Sequence, residues 1–357
     1  MRRGTLQSES PAPPTKVSGE AQIIGLIKNR LSGITLSRHA YADVLRRIYP
    51  DLMDSTVEES ARRDCKLNVW AARPLSHGSL DAFTPMPGFN VWCLVLESTV
   101  LPDRSLEAAA NADQVWVPTS FCRDVCVANG MPPEKVHVVP YYLPAPARPC
   151  RPPSPHDPFT VLLSWDGKSN MSRKNVLKSI QAFKLAWPKD LDVRMKLKTR
   201  DLSQENTAAV KEAIACDGRI ILDDSFAPEV DDIFDGVHCL MHCHRAEGYG
   251  RHVMEAMLRR VPVIATAYSG PMDWLTNENS LRVGYHLVET SVQEYRYPQG
   301  GQWAEPDIGD MVAQLRACQA ESMEAMTEQA QHDAQRACSM EQSMHAMLTA
   351  LKKGGHI

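Results

Sequence analysis

The sequence predicts an α/β protein of two doubly wound, parallel-sheet domains that face each other across a cleft. Three observations carry this. Short apolar runs alternate with stretches whose apolar residues recur at helical spacing, as in successive βα units. The alternation halts at a proline-rich segment and then restarts. The chain's 357 residues also exceed what one compact core commonly holds.

Residues 1–19 are rich in Ser, Pro, Gly and charge without periodicity, and read as a disordered tail. From Ala21 the runs AQIIGLI, KLNVWAA, FNVWCLVL, QVWVP and KVHVV predict strands, with HAYADVLRRIY and FCRDVCVANG as helices among them. This first domain spans 20–143. Residues 144–158 (PAPARPCRPPSPHDP) hold seven prolines in fifteen positions, which can continue neither a helix nor a central strand and favour an extended connector. The second domain, 159–305, follows as FTVLLSW, one helix over RKNVLKSIQAFKLAW, VRMKLK, the helix ENTAAVKEAIACD, RIILDD, a short helix, HCLMHCH, a helix after Gly250, and PVIATAY. Residues 306–357 read as helices closed by Gly354-Gly355.

Composition narrows the function classes. Hydrophobic residues at 43% and charged residues at 23% are those of a globular chain. A formal charge of −4 offers no basic field for nucleic acid, so no nucleic-acid partner is expected. No stretch approaches the roughly 18–20 apolar residues of a membrane helix, and MRRGTLQSESPAPPTK carries no apolar core of a secretory signal. The expected location is cytoplasmic, with peripheral contact to the inner face of a membrane as a further option through Arg38, Arg46 and Arg47. The ten cysteines lack the spacing of a disulfide scaffold and read as reduced thiols, several of them, such as Cys93, serving as small hydrophobes.

Ligands of open α/β sheets bind at the carboxyl ends of the strands, and here two such ends meet at the cleft. The segment HRAEGYGRHVMEAMLRRVPVIATAYSG (244–270) places Glu247 at a strand end, Gly248-Tyr249-Gly250 at a turn, and Glu255 on the helix that follows. Free amides at that helix start favour a diphosphate, and glycines let it approach. The two carboxylates suit sugar and ribose hydroxyls. Cys239, His242 and His244 have no fourth partner spaced for zinc, so no metal is expected. Gly248-x-Gly250 lacks the third glycine of a dinucleotide fingerprint, because position 253 is Val, which disfavours a nicotinamide oxidoreductase. Cys122 and Cys126, four apart on one helix, read as packing groups.

This segment resembles the glutamate-x7-glutamate motif of retaining GT-B glycosyltransferases of family 4, which often read EGxGxPxxEAMAxGxPVIA. Glu247, Gly248, Gly250, Glu255, Ala256, Met257, Pro262, Val263, Ile264 and Ala265 fall in place. His252 and Leu258-Arg259-Arg260 depart from it. SGPMDWLTNENS (269–280) resembles a branch with SGxxEFMxxENS, Asp273 standing at the glutamate. SWDGKSNMSRKN (164–175), ADQVWVPTSFCRDV (112–125) and VLESTVLP (95–102) resemble three further blocks, the last with Leu96 in place of tryptophan.

The resemblance implies two Rossmann-like domains in the GT-B arrangement, the first on the acceptor side and the second holding the donor. It implies transfer of a hexose-type sugar from a nucleotide diphosphate donor to an acceptor hydroxyl, with retention at the anomeric carbon. Glu247 would orient the donor sugar and Lys174 with Lys168 would hold the diphosphate as the catalytic set. Arg173, Gly248, Tyr249, Gly250 and Glu255 would bind the donor. Acceptor-side candidates are Gly33, His39 and Glu97. The donor is a UDP- or GDP-sugar, used as substrate with no cofactor or metal. The acceptor is a glycan, lipid-linked sugar, protein or small metabolite. A non-catalytic sugar-nucleotide-binding subunit and an epimerase or phosphorylase of related architecture are the alternatives.

Overall fold

A computed structural model of the chain describes residues 20–24, 33–55, 65–71, 83, 85–101, 104–291 and 300–357. The tail predicted over 1–19 and the turn ahead of Gly33 lie outside the described residues. Two six-stranded sheets form the framework. The first contains β1 (Ala21–Ile24), β2 (Met53–Ser55), β3 (Leu67–Trp70), β4 (Phe89–Cys93), β5 (Gln114–Val117) and β6 (Val136–Val138), in the order β2-β1-β3-β4-β5-β6 with every pair parallel. The second contains β7 (Phe159–Ser164), β8 (Val193–Lys198), β9 (Ile220–Asp223), β10 (Cys239–His242), β11 (Val263–Thr266) and β12 (Leu281–Val283). Its order is β12-β11-β10-β7-β8-β9, again parallel throughout.

Both orders reverse direction beside a central strand, the point at which doubly wound sheets open a ligand crevice. Parallel strands are covered on both faces, and β3, β5, β10 and β11 are accordingly buried along their whole length. The short polar β2 carries no strand signal in its MDS sequence and enters the sheet by pairing with β1.

In the first domain α1 (Gly33–Ile48) buries Val44, Leu45 and Ile48, and α2 (Ser105–Asn111) and α3 (Ser120–Ala128) follow β4 and β5. The Thr119 side chain caps α3 by accepting from the Cys122 amide. In the second domain the single helix expected over RKNVLKSIQAFKLAW is two, α4 (Met171–Lys174) and α5 (Val176–Ala186). Asn175 breaks it in the left-handed conformation at φ 56°, and its Nδ2 donates to the Cys243 carbonyl at 2.9 Å. Then come α6 (Gln204–Ile214), α7 (Val230–Phe234), α8 (Arg251–Leu258) and a 3₁₀ turn at Gly270–Asp273.

An antiparallel hairpin, β13 (Tyr285–Glu289) and β14 (Gln302–Pro306), was not anticipated, and the expected boundary at 305/306 cuts the last residue of β14. The C-terminal helices α9 (Ile308–Ala320), α10 (Glu324–Ala337) and α11 (Met340–Lys353) divide between the domains. Helix α9 packs on α5, α10 on α8, and α11 returns to α1 of the first domain. There Gln114 Nε2 donates to the Ala350 carbonyl at 2.5 Å and the Leu143 amide to the Cys338 carbonyl at 3.1 Å. The proline-rich connector has no regular structure and is pinned to α7 by Arg148, which pairs with Asp232 at 2.7 Å and Asp235 at 2.8 Å.

Candidate active site

The site is assembled where three strands of the second sheet end and one loop of the first reaches across. Beyond β10 the chain runs through Cys243–Ala246 to Glu247, whose amide donates to Ser269 Oγ at 2.9 Å. Beyond β7 the Asn170 side chain caps α4 by accepting from the Arg173 amide at 2.7 Å, which sets Arg173 and Lys174 beside Glu247. The break at Asn175 ends α4 at Lys174 and starts α5 at Val176.

One oxygen of Glu247 collects three donors. Oε1 pairs with Lys174 Nζ, with Arg173 Nη1 at 3.2 Å and with His242 Nε2 at 3.2 Å. Arg173, 3% exposed, also donates to the Ala246 carbonyl at 2.7 Å, and its Nη2 meets Glu97 Oε1 at 3.0 Å. Glu97 follows β4 of the first domain, so this ion pair spans the cleft. Burial alone would raise the Glu247 pKa, but the Lys174 and Arg173 charges and the His242 hydrogen bond outweigh it and hold the carboxyl well below its usual range. Burial drives His242 the other way, down to about 3 despite Glu247, so its ring is neutral beside the carboxylate. The fully buried His244 is lowered by the same cause and lies between the His242 and Tyr268 carbonyls, at 2.9 and 3.1 Å. Both rings are thus engaged within the protein. Among the described residues no group of three or more His, Cys, Asp or Glu is placed to hold a metal ion.

In the turn into α8, Gly248 and Tyr249 both face the first domain. The Tyr249 ring is buried between Tyr141 and Trp274, with centroids 4.7 and 4.6 Å away, and its hydroxyl donates to the Tyr141 carbonyl at 3.2 Å. Its side chain is interdomain packing. Gly248 lies against the first domain: a Cβ there would meet Val95 Cγ2 at 2.3 Å and the Leu96 carbonyl at 2.7 Å. Its carbonyl accepts from Thr119 Oγ1 at 2.8 Å. Gly250 takes φ +82° at the start of α8, which no side chain caps, so the first turn of this helix keeps its anion-seeking character.

On α8 Glu255 is buried and pairs with Arg251 Nε at 2.7 Å. The only signal of Arg251 in the sequence is its i,i+4 spacing to Glu255. Lys168 is not drawn into the cluster. Its side chain is 60% exposed and pairs with Asp201 at 2.9 Å, because Gly167 hydrogen-bonds to the Arg200 carbonyl and lays this loop along the one after β8. His39 is exposed on α1, the helix that Gly33 opens. Arg38 and Arg46, offered by the sequence for membrane contact, both bind Asp54, at 2.8 and 2.9 Å. A further contact missed from sequence is Asp273, which accepts from the Ser120 amide at 2.8 Å and from the Ser120 hydroxyl, joining the 3₁₀ turn to the start of α3.

Comparison with known proteins gives the family and the fold. Residues 119–348 match the family described as Family 4 Glycosyltransferase in conflict systems. Among solved structures, Anabaena HepE in complex with UDP-glucose superposes with a TM-score of 0.65 at 14% identity, covering 94% of this chain and 100% of that one. The lipopolysaccharide outer core galactosyltransferase WaaB gives 0.58 at 13% identity over 93% and 99%. S. aureus TarM, in complex with Fondaparinux, α-GlcNAc-glycerol and UDP, gives 0.56 at 14% identity over 79% and 54%, so the chain spans about half the length of TarM. At these identities the likeness is one of fold. No curated protein matches the chain in sequence. Among the described residues no helix is long and apolar enough to cross a membrane.

Proposed function

The chain belongs to the family 4 glycosyltransferases in conflict systems, and on that premise we propose that it transfers a hexose from a UDP-sugar to an acceptor hydroxyl with retention of configuration. The observation that carries this is the meeting of Glu247 with Lys174 and Arg173 at the carboxyl end of the second sheet. A uridine donor is favoured over a guanosine one by the UDP and UDP-glucose held by HepE and the UDP held by TarM.

In this reading the donor diphosphate lies at the start of α8, and Lys174 shares its charge between Glu247 and the diphosphate. Glu247 accepts from donor sugar hydroxyls and Glu255 from the ribose. The bond from the anomeric carbon to the diphosphate oxygen breaks while the acceptor oxygen bonds to that carbon on the same face. The acceptor proton passes to the departing diphosphate oxygen, so the protein needs no nucleophile of its own. Its share is orientation and preorganised positive charge at the oxygen where negative charge grows. No metal is required, since Lys174, Arg173 and the helix start supply that charge.

Thermal unfolding with UDP, GDP and ADP, each with and without EDTA, tests the donor class. UDP at a hundred times its dissociation constant should add about 2.7 kcal/mol of stability, a shift of several degrees. NMR of the product then reads the anomeric configuration. An inverted product would overturn retention, and UDP binding without transfer to any acceptor would make the chain a binding subunit.

A further inference from the structure

The β13–β14 hairpin lies outside both parallel sheets, yet it touches each of the two segments that bring carboxylates to the cleft. On the donor side the Ala304 amide donates to the Arg245 carbonyl at 2.9 Å, and Arg245 Nη2 pairs with Glu305 at 2.6 Å. The same guanidinium lies over the Trp303 ring, 5.1 Å from its centroid. The second oxygen of Glu305 takes Lys178 Nζ from α5. Arg245 stands two residues before Glu247, and its amide donates to the Arg173 carbonyl at 2.8 Å. Backbone and side chain of the strand-to-Glu247 connection are thus held between β14 on one side and Arg173 on the other.

On the acceptor side the Gln302 amide, at the start of the same strand, donates to Thr99 Oγ1 at 2.8 Å, two residues after Glu97. Gly301 packs so closely there that a Cβ would meet Ser98 Oγ at 2.5 Å. One strand therefore spans both sides of the cleft within four residues.

We propose that β14 is a cross-cleft strap and that Glu305 is a positioning residue for Glu247, acting through Arg245. This rests on the sugar-transfer reading for its consequence in turnover, but not for its geometry. A fixed Arg245–Glu247 segment matters because misplacing a substrate-orienting group by a fraction of an ångström costs turnover more than it costs nucleotide binding. The nucleotide's own contacts would lie on α8 and α4, whereas the ion pairs and hydrogen bonds of β14 given above reach Arg245, Lys178 and Thr99. The competing account is that the hairpin merely covers the apolar cluster of Ala246, Tyr268, Trp303 and Ala304.

The test compares Glu305→Gln, which keeps shape and removes charge, with Glu305→Asp, which keeps charge. Glu305→Gln should lower kcat about tenfold while the calorimetric Kd for UDP stays within about twofold, and Glu305→Asp should recover part of the loss. Independently of any turnover, hydrogen exchange over residues 244–250 should quicken about tenfold in Glu305→Gln and remain unchanged over β8. Unchanged exchange at 244–250, or exchange that quickens equally throughout the second domain, overturns the strap. Unchanged kcat in a variant whose wild type turns over does so as well. Should the wild type bind UDP yet transfer nothing, the exchange result still decides the strap and only the transfer reading falls. If Glu305→Gln fails to fold, Thr99→Val removes the other anchor. It should quicken exchange over 95–100 and lower kcat in the same direction, and no change in either overturns the proposal.

Discussion

Removing the Glu247 carboxylate would leave Lys174 and Arg173 side by side in a buried site without the anion between them, and would take away the group placed to accept from the donor sugar. Hydrogen bonds to charged groups are worth about 1.5–3 kcal/mol. Glu247→Ala and Lys174→Ala should therefore each lower turnover by about 10- to 100-fold in steady-state kinetics. Glu255→Ala should instead raise the Kd for UDP with a much smaller change in kcat, since the ribose contact is made before and during the reaction alike. Equal effects of all three on UDP binding would remove this division of roles. The neutral state of His242 has its own signature. An unfolded histidine takes its proton near pH 6.5 and the native one only near pH 3. Between these values the unfolded chain binds the extra proton, so stability rises with pH there and is lost as the solution is acidified from neutrality. Glu247, held low in the native state, adds a loss in the same direction below the ordinary carboxylate range. Melting temperatures recorded from pH 7 to pH 5 should fall, and His242→Gln should give a shallower slope; an equal slope would mean that the native ring takes its proton as readily as the unfolded one.

At the scale of elements, Asn175 shows what the sequence can and cannot announce. Apolar periodicity runs unbroken through RKNVLKSIQAFKLAW, so it predicts one helix. The break is imposed by a residue in the left-handed region that is tied to a carbonyl at the end of β10, 68 positions away. Holding a non-glycine residue there costs about 1–3 kcal/mol and is sustained by such contacts. Asn175→Ala keeps the strain and loses the hydrogen bond, so it should destabilise by about 1–3 kcal/mol and lower turnover by displacing Lys174. Asn175→Gly relieves the strain, and in chemical denaturation it should be the milder of the two. Most strands and helices were legible because a parallel α/β fold writes its burial as local apolar runs. Glu247 and Glu255 were legible as candidates because they stand in one compact motif, and Arg173 and Lys174 because they stand in a second block, SWDGKSNMSRKN. The Arg173–Glu97 and Ser120–Asp273 contacts were not, since each joins surface-like polar residues from different domains. Neither were β13 and β14, whose residues pair with each other and with loops, and show no alternation that marks them as buried.

For the whole molecule the question is whether the glycines after Glu247 serve the nucleotide or the closure of the two domains. Gly248 supplies the sharper case. The atoms that a methyl group would strike belong to Val95 and to the Leu96 backbone, and a carbonyl oxygen at 2.7 Å cannot be turned aside as a flexible side chain can. Gly248→Ala must therefore part the loop after β4 from the turn before α8. The same displacement would lengthen the Thr119–Gly248 and Arg173–Glu97 contacts, and with them the approach of the acceptor side to Glu247. The proposed nucleotide contacts, on α4 and α8, all lie within the second domain and would move as one body. Gly248→Ala should then lose turnover by about tenfold or more while the calorimetric Kd for UDP stays within about threefold, with a larger radius of gyration in small-angle scattering. A variant that loses UDP affinity in step with turnover, at unchanged dimensions, would show that the turn itself grips the diphosphate and that its fit against Leu96 is incidental.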